Sequence, residues 1–233
     1  MLVKTDLHVH SVLSACADKD NTVNNIVNLG VLLDTRILAL SDHNSCLNFP
    51  AFKQVCVANG ILAVPAMEVT TAEEIHVLCL FKDYQDAKTL NDEIFDSLFK
   101  IDVDTEFYNP QNVLDKDDNV TDTVPYLLNI ACKYDIYSLV DRVNELGGMA
   151  IPAHVDRDSF SVISVLGDIP DDLNVRCVEV TSRCPQSLLE RLKQKYNLIQ
   201  SSDAHCLEDM VSNEFYLDLD RMSINALFER LQK

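Results

Sequence analysis

The chain has 233 residues, 47% of them hydrophobic, which is enough for a full core and fits one α/β domain. Its 19 basic and 37 acidic residues leave a net charge of −18, a balance that repels nucleic-acid phosphate and predicts no stable nucleic-acid partner. No apolar run reaches the roughly 18–20 residues of a membrane span, and MLVKTDLHVH lacks the basic and apolar regions of a secretory leader, so a cytoplasmic protein with no membrane association is expected.

Leu2 to Val9 reads as a first strand, and Thr22 as the N-cap of a helix through Ile26, Val27 and Leu33. Arg36 to Leu40 is a second strand. A helix from about Phe49 to Ala58 ends at the Asn59-Gly60 stop signal. Ile61 to Val69 and Ile75 to Phe81 give the third and fourth strands. From Asp83 to about Asp135 the rhythm breaks. This stretch holds an amphipathic segment (Leu90, Ile94, Phe95, Leu98, Phe99), the polar run DKDDN at 115–119, and a short helix expected around Tyr126 to Ala131. It reads as an insertion over the barrel mouth, either a lid or a decoration.

Beyond it, a helix around Leu139 to Leu146 stops at Gly147-Gly148, and Met149 to Ala153 and Val175 to Val180 are strands. A helix follows Pro185, Leu198 to Ser201 is the last clear strand, and Ile224 to Leu231 is a closing helix. Strands alternating with helices predict parallel β/α units. About seven strands in one domain predict a barrel, which places its chemistry at the C-terminal strand ends.

Eight cysteines stand at irregular spacings with no C-x-x-C pair, which predicts free thiols in a reducing compartment. Cys16, Cys46 and Cys206 fall near histidine motifs.

All six histidines lie in motifs at strand ends: His8, His10, His43, His76, His154 and His205. His8 and His10, one residue apart on a strand, project from one face about 7 Å apart and can chelate one ion or flank a pair. Asp42 beside His43 is a ligand, a proton carrier or, with Asn44, a helix N-cap. Glu68 ends the apolar run VPAMEVTT, where an unpaired carboxylate is costly and a cation makes it sensible, while Glu73 and Glu74 belong to the following loop. Asp203 and His205 in SSDAH repeat the i, i+2 pairing. Oxygen and imidazole donors together suit Mn²⁺, Fe²⁺ or Zn²⁺. Arg157 and Arg183 stand where guanidinium groups reach a substrate phosphate or carboxylate, or form surface ion pairs.

These motifs, DLHVHS at 6–11, ALSDHN at 39–44, the run at 60–81, PAH at 152–154 and SSDAH at 201–205, resemble the PHP (polymerase and histidinol phosphatase) family in their order along nearly the whole chain. The resemblance implies a single PHP-like domain over 1–233, a distorted (β/α)7 barrel with the insertion at about 83–135. It implies two or three divalent ions. His8, His10, Glu68 and Asp203 would hold one, and Glu68 would bridge to a second held also by His76 and His154. A third would lie between His43, His205 and Asp18, with Asp20 competing for the last place. The implied activity is hydrolysis of a small phosphorylated metabolite, such as a nucleotide or nucleoside bisphosphate, by metal-activated hydroxide, with His205 or Asp42 assisting the leaving oxygen. The alternatives are a histidinol-phosphate-type phosphatase, a metal-binding sensing module, and hydrolysis of a non-phosphate bond.

Overall fold

The computed structural model describes residues 1–233. Its first half runs β1 (Leu2–Val9), α1 (Val23–Leu32), β2 (Ile37–Leu40), α2 (Phe49–Ala58), β3 (Leu62–Thr70), β4 (His76–Leu80), α3 (Tyr84–Ser97), β5 (Gln111–Leu114) and β6 (Val120–Val124). The second half runs α4 (Ile136–Glu145), β7 (Met149–Pro152), α5 (Val162–Leu166), β8 (Cys177–Glu179), α6 (Gln186–Leu192), β9 (Asn197–Ile199), α7 (Leu207–Val211), β10 (Tyr216–Asp218) and α8 (Ile224–Gln232). Local chemistry explains several boundaries. Thr22 caps α1 by accepting from the amide of Asn25, and Asp135 caps α4 through Ser138, so α4 begins three residues before the expected Leu139.

Six strands form one sheet in the order β10-β1-β2-β3-β4-β7. β1, β2 and β3 are parallel, as expected, but β3–β4 and β4–β7 are antiparallel. Uniform parallel alternation therefore fails in the middle of the sheet. Only Thr71 to Ile75 join β3 to β4, and a parallel crossover needs a dozen residues or more. The sheet curls back on itself: the parallel pair β8–β9 follows β7, and Ala204 beyond β9 bridges Val9 of β1. β10, which the sequence reading passed over, extends the other end of β1 by antiparallel pairing at Leu2 to Lys4. The result is a mixed α/β fold with a curled sheet.

Alternation along the strands decides which residues meet. Val64 and Ala66 of β3, Leu78 and Leu80 of β4, and Ile151 of β7 belong to one buried cluster, which α8 closes with Leu227, Phe228 and Leu231. Glu68 and His76 have the same parity as those residues, so they continue that face toward the site. In β1 the register shifts between Asp6 and Val9. Such an irregularity changes which face later residues present, so His8 and His10 can follow Leu7, a member of the same cluster.

The segment from Tyr126 to Ala131 is not the short helix expected from sequence; it is a run of bends after a bridge at Tyr126. Two buried amides satisfy its backbone instead. Asn44 Nδ2 donates to the carbonyls of Leu128 (2.6 Å) and Ile130 (2.7 Å), while Gln111 binds Tyr126 and Leu128. DKDDN forms the turn of the β5–β6 hairpin, with Asp115 accepting from the amides of Asp117 and Asn119. The hairpin is pinned to the loop after β1: the Asn112 amide donates to Val12, and Asn48 bridges Ser11 and Leu114. No helix is long and apolar enough to cross a membrane.

Gly148, at the entry to β7, tests the packing. A Cβ there would stand 2.8 Å from the Leu80 carbonyl oxygen and 2.8 Å from the Phe81 ring. Gly148→Ala is expected to cost about 1–3 kcal/mol through overpacking, read as a lower urea midpoint at unchanged slope.

Candidate metal centre

Glu68 lies 1% exposed at the middle of the site, and five imidazoles converge on its two oxygens. Oε1 is 2.9 Å from His76 Nδ1, 3.2 Å from His154 Nε2 and 3.3 Å from His8 Nε2. Oε2 is 3.0 Å from His43 Nδ1 and 3.4 Å from His10 Nε2. Asp203 Oδ1 closes the other side, 3.3 Å from His8 Nε2 and 3.2 Å from His10 Nε2. Three overlapping groups of ligand atoms result: His8, His10, Glu68 and Asp203; His43, Glu68 and His76; and His10, His43 and His205.

The donor set fits divalent cations. His8 Nε2, His10 Nε2, His43 Nδ1, Glu68 Oε2 and Asp203 Oδ1 are buried atoms with no hydrogen-bond partner. Leaving several such atoms unsatisfied in one place costs more than a fold can spare unless a cation meets them.

Groups behind the imidazoles fix which nitrogen is free. Glu179 Oε2 accepts from His8 Nδ1 (2.9 Å) and from the His154 amide (3.1 Å), leaving His8 Nε2 to face inward. Ser14 Oγ donates to Asp42 Oδ1 (2.8 Å), so its lone pair takes the proton of His10 Nδ1 (3.0 Å) and frees His10 Nε2. Asp6 Oδ1 holds the Ser202 amide (3.0 Å) beside Asp203, and burial pushes the Asp6 carboxyl up to about 6. His154, Phe160 and Asp203 have φ of 30°, 54° and 49°, backbone strain that concentrates around the site.

Some expected residues sit elsewhere. Asp42 is buried with its oxygens on the Ser11 amide, Ser11 Oγ and Ser14 Oγ, so it reaches the cluster only through Ser14. Asp18 is exposed, its carboxylate accepts from the Asp20 amide (2.9 Å), and it is not among the gathered ligand atoms. His205 donates from Nδ1 to the Asp203 carbonyl (3.0 Å) and is the most exposed imidazole of the cluster. Arg157 Nη1 pairs with Asp203 Oδ2 (2.7 Å), and Arg183 makes no ion pair. Both line a polar cavity of ≈580 Å³ that opens from His154, Glu179 and Asp203. Glu73 accepts from the amide of Ile136 at the start of α4. Glu179 was missed as a site residue. The signal for Glu179 was present: a carboxylate in the apolar strand VRCVEVTS poses the same burial problem as Glu68.

The electrostatics follow from burial and mutual contact. Burial pushes Glu68 up, but His76 and His8 outweigh it and hold the carboxyl well below its usual range. Asp203 is likewise held low by His8 and His10 against burial. Burial pushes His43 down, yet Cys16 and Glu68 raise it to about 10, while Glu179 and Glu68 raise His8 against the same burial. Burial and the neighbouring imidazoles push His10 down. The Cys16 thiol, raised by burial, is brought down to about 6 by His205 and His43.

A curled α/β sheet gathers buried imidazoles and carboxylates at its strand ends, in groups that could hold metal ions. The PHP domain family profile matches residues 6–157, and the chain belongs to that family. Comparison with curated protein sequences finds no match. Similar solved structures include endonuclease Q from Pyrococcus furiosus (TM-score 0.71, 15% identity, covering 100% of this chain and 56% of that one). They also include an endonuclease Q complex with a 27-mer duplex substrate bearing an abasic lesion at the active site (TM-score 0.72, 15% identity, 100% and 57%). A protein described as a metal-dependent phosphoesterase from Bifidobacterium adolescentis matches with TM-score 0.64 and 15% identity over 98% of this chain and 96% of that one. The chain thus spans little more than half the length of endonuclease Q. The expectation of a small substrate and no nucleic-acid partner is corrected by the duplex complex, in which a closely similar fold takes DNA. Net charge sums the whole surface, whereas a phosphodiester meets the local field, here shaped by arginines and by any bound cations.

Two outcomes are expected. Glu179→Gln should weaken metal affinity about 10–100-fold, measured by competition with a chelator, while the fold survives. Metal must displace protons from His8 and His43, whose nearby carboxylates raise them well above the usual imidazole range. Loading should therefore release protons, and affinity should climb as pH rises toward about 10, read by calorimetry in buffers of different ionisation enthalpy.

Proposed function

We propose that the chain hydrolyses a phosphate ester of a nucleotide, free or within a polynucleotide. The observation that carries this reading is the ≈580 Å³ cavity, which joins the ligand cluster at Asp203 and His154 to the guanidinium groups of Arg157 and Arg183. A phosphate placed there meets cations on one side and planar forks of N–H donors on the other. His8, His10, Glu68 and Asp203 would hold one Mn, Fe or Zn ion, and His43, His76 and His154 would share Glu68 toward a second. Bound ions supply Lewis-acid polarisation of the phosphoryl group and lower the pKa of attacking water.

The chain's own groups do the rest. Arg157 and Arg183 orient the non-bridging oxygens. His205, tied through Nδ1 to the Asp203 carbonyl, presents Nε2 at the exposed side of the cluster, where it can pass a proton to the leaving oxygen. Asp42 acts as a positioning residue, holding Ser14 and through it His10. The insertion, pinned to the loop after β1, borders the same end of the sheet and shapes access.

The test is product release by the metal-loaded protein from phosphomonoesters, nucleoside bisphosphates, a diester and an abasic-site duplex. Turnover should vanish in Asp203→Ala. Arg183→Ala should raise KM about 10- to 100-fold at unchanged metal content, the worth of one charge-assisted hydrogen bond. Full metal occupancy with no cleavage of any ester would instead favour a sensing module.

A further inference from the structure

We infer that Phe160 is a base-stacking residue: its ring takes the planar base of a nucleotide on the face turned away from His76, while the phosphate lies at the ligand cluster. The inference rests on the phosphate-ester reading above and adds to it the group that recognises the rest of the substrate.

Three observations carry it. The first is the backbone. Phe160 has φ 54°, in the left-handed region, where a bulky side chain is an outlier and Gly, Asn or Asp would sit with less strain. Neighbouring bonds enforce the conformation. The His76 amide donates to the Phe160 carbonyl (2.9 Å), and the Arg157 amide to the His154 carbonyl (2.9 Å). Ser161 Oγ donates to the Arg157 carbonyl (2.7 Å) while it caps α5 through the Ser164 amide (3.1 Å). A strained aromatic held by so many bonds points to a use for the ring where it stands.

The second observation is the ring. It stacks on His76, with centroids 4.8 Å apart and planes 26° apart. Phe160 is nevertheless 46% exposed, and with one face against the imidazole that exposure falls on the other face and the edges. The remaining exposed aromatics, Phe99, Phe107, Tyr108, Tyr137 and Tyr216, stack on no histidine of the cluster. A fixed π-face open to solvent matches any nucleobase, because every base has a π-face of its own.

The third is placement. One loop, between β7 and α5, carries His154 of the cluster, then Arg157 beside Asp203, then Phe160. The His76 ring lies 5.4 Å from the His154 ring, so Phe160 stands one imidazole further along the cluster, within a nucleotide's length of a phosphate at Arg157. The ≈580 Å³ cavity there is almost wholly polar. It suits phosphate and offers nothing to the faces of a base, which Phe160, outside it, does. Covering His76 requires only an apolar side chain, and leucine would serve, so substitution separates cover from stacking.

The chain has no tryptophan, so Phe160→Trp places a single indole at this position. The probes are a nucleoside 5′-phosphonate, whose P–C bond resists hydrolysis, and the matching ribose phosphonate, each titrated into metal-loaded protein. The nucleoside phosphonate should quench the indole emission, and the ribose phosphonate should leave it unchanged. By calorimetry wild type should bind the nucleoside compound about 10-fold more tightly than the ribose compound. Phe160→Leu should lose that margin, with ribose phosphonate affinity and metal content unchanged. Equal binding of the two probes by wild type, an indole indifferent to the base, or a loss in Phe160→Leu that falls on both probes or on metal content would overturn this inference alone. Binding of neither probe by metal-loaded wild type would overturn the phosphate-ester reading with it.

Discussion

The structure turns on one buried carboxylate. Glu68 ends β3 almost wholly out of water, where an isolated charge would be intolerable, and five of the six histidines stand within 3.4 Å of its oxygens. The five imidazoles reach it from four segments of the chain, so the site exists only when β1, β3, β4 and the loops after β2 and β7 are docked together. The hydrogen-bond demand of one side chain thereby becomes a condition on the whole curled sheet.

Around that carboxylate, buried polar groups hold the ligands by their backs. Glu179 on the β8 strand sets the His8 ring and the His154 amide; Ser14 and Asp42 set the His10 ring; Asp6 sets the loop that carries Asp203. These contacts leave His8 Nε2, His10 Nε2 and Asp203 Oδ1 without a partner. Rings held in this way keep their aim with little loss of entropy when a cation arrives. The positive φ of His154 and Asp203 belongs to the same arrangement, since strain of this kind persists only where surrounding bonds over-determine the backbone.

Charge acts on two scales. Across the surface the chain is strongly acidic, yet the cavity beside the cluster presents Arg157 and Arg183, and Arg157 already seats an oxygen of Asp203. A ligand phosphate samples that local field and not the sum over the molecule. For the same reason the acidity of the chain was a poor guide to partners, as the duplex-bound relative of the same fold makes plain.

The sequence by itself determined the strands and helices with clear punctuation, and it determined a set of donors able to hold metal, because H-x-H, D-x-H and an apolar strand ending in Glu68 state their ligand types in covalent order. Thr22, Asn59-Gly60 and Gly147-Gly148 marked boundaries through local bonds and backbone freedom, which do not depend on distant residues. Tertiary structure alone decided the rest. The antiparallel course of β3–β4–β7 follows from which edges pair, although the five-residue link was a legible hint. The helix expected at Tyr126 to Ala131 gave way to the amides of Asn44 and Gln111, from remote parts of the chain. Glu179, 171 residues from His8, became a site residue only through the closure of the sheet. Spacing along the chain records which donors are available, while their distances to one another are fixed by packing.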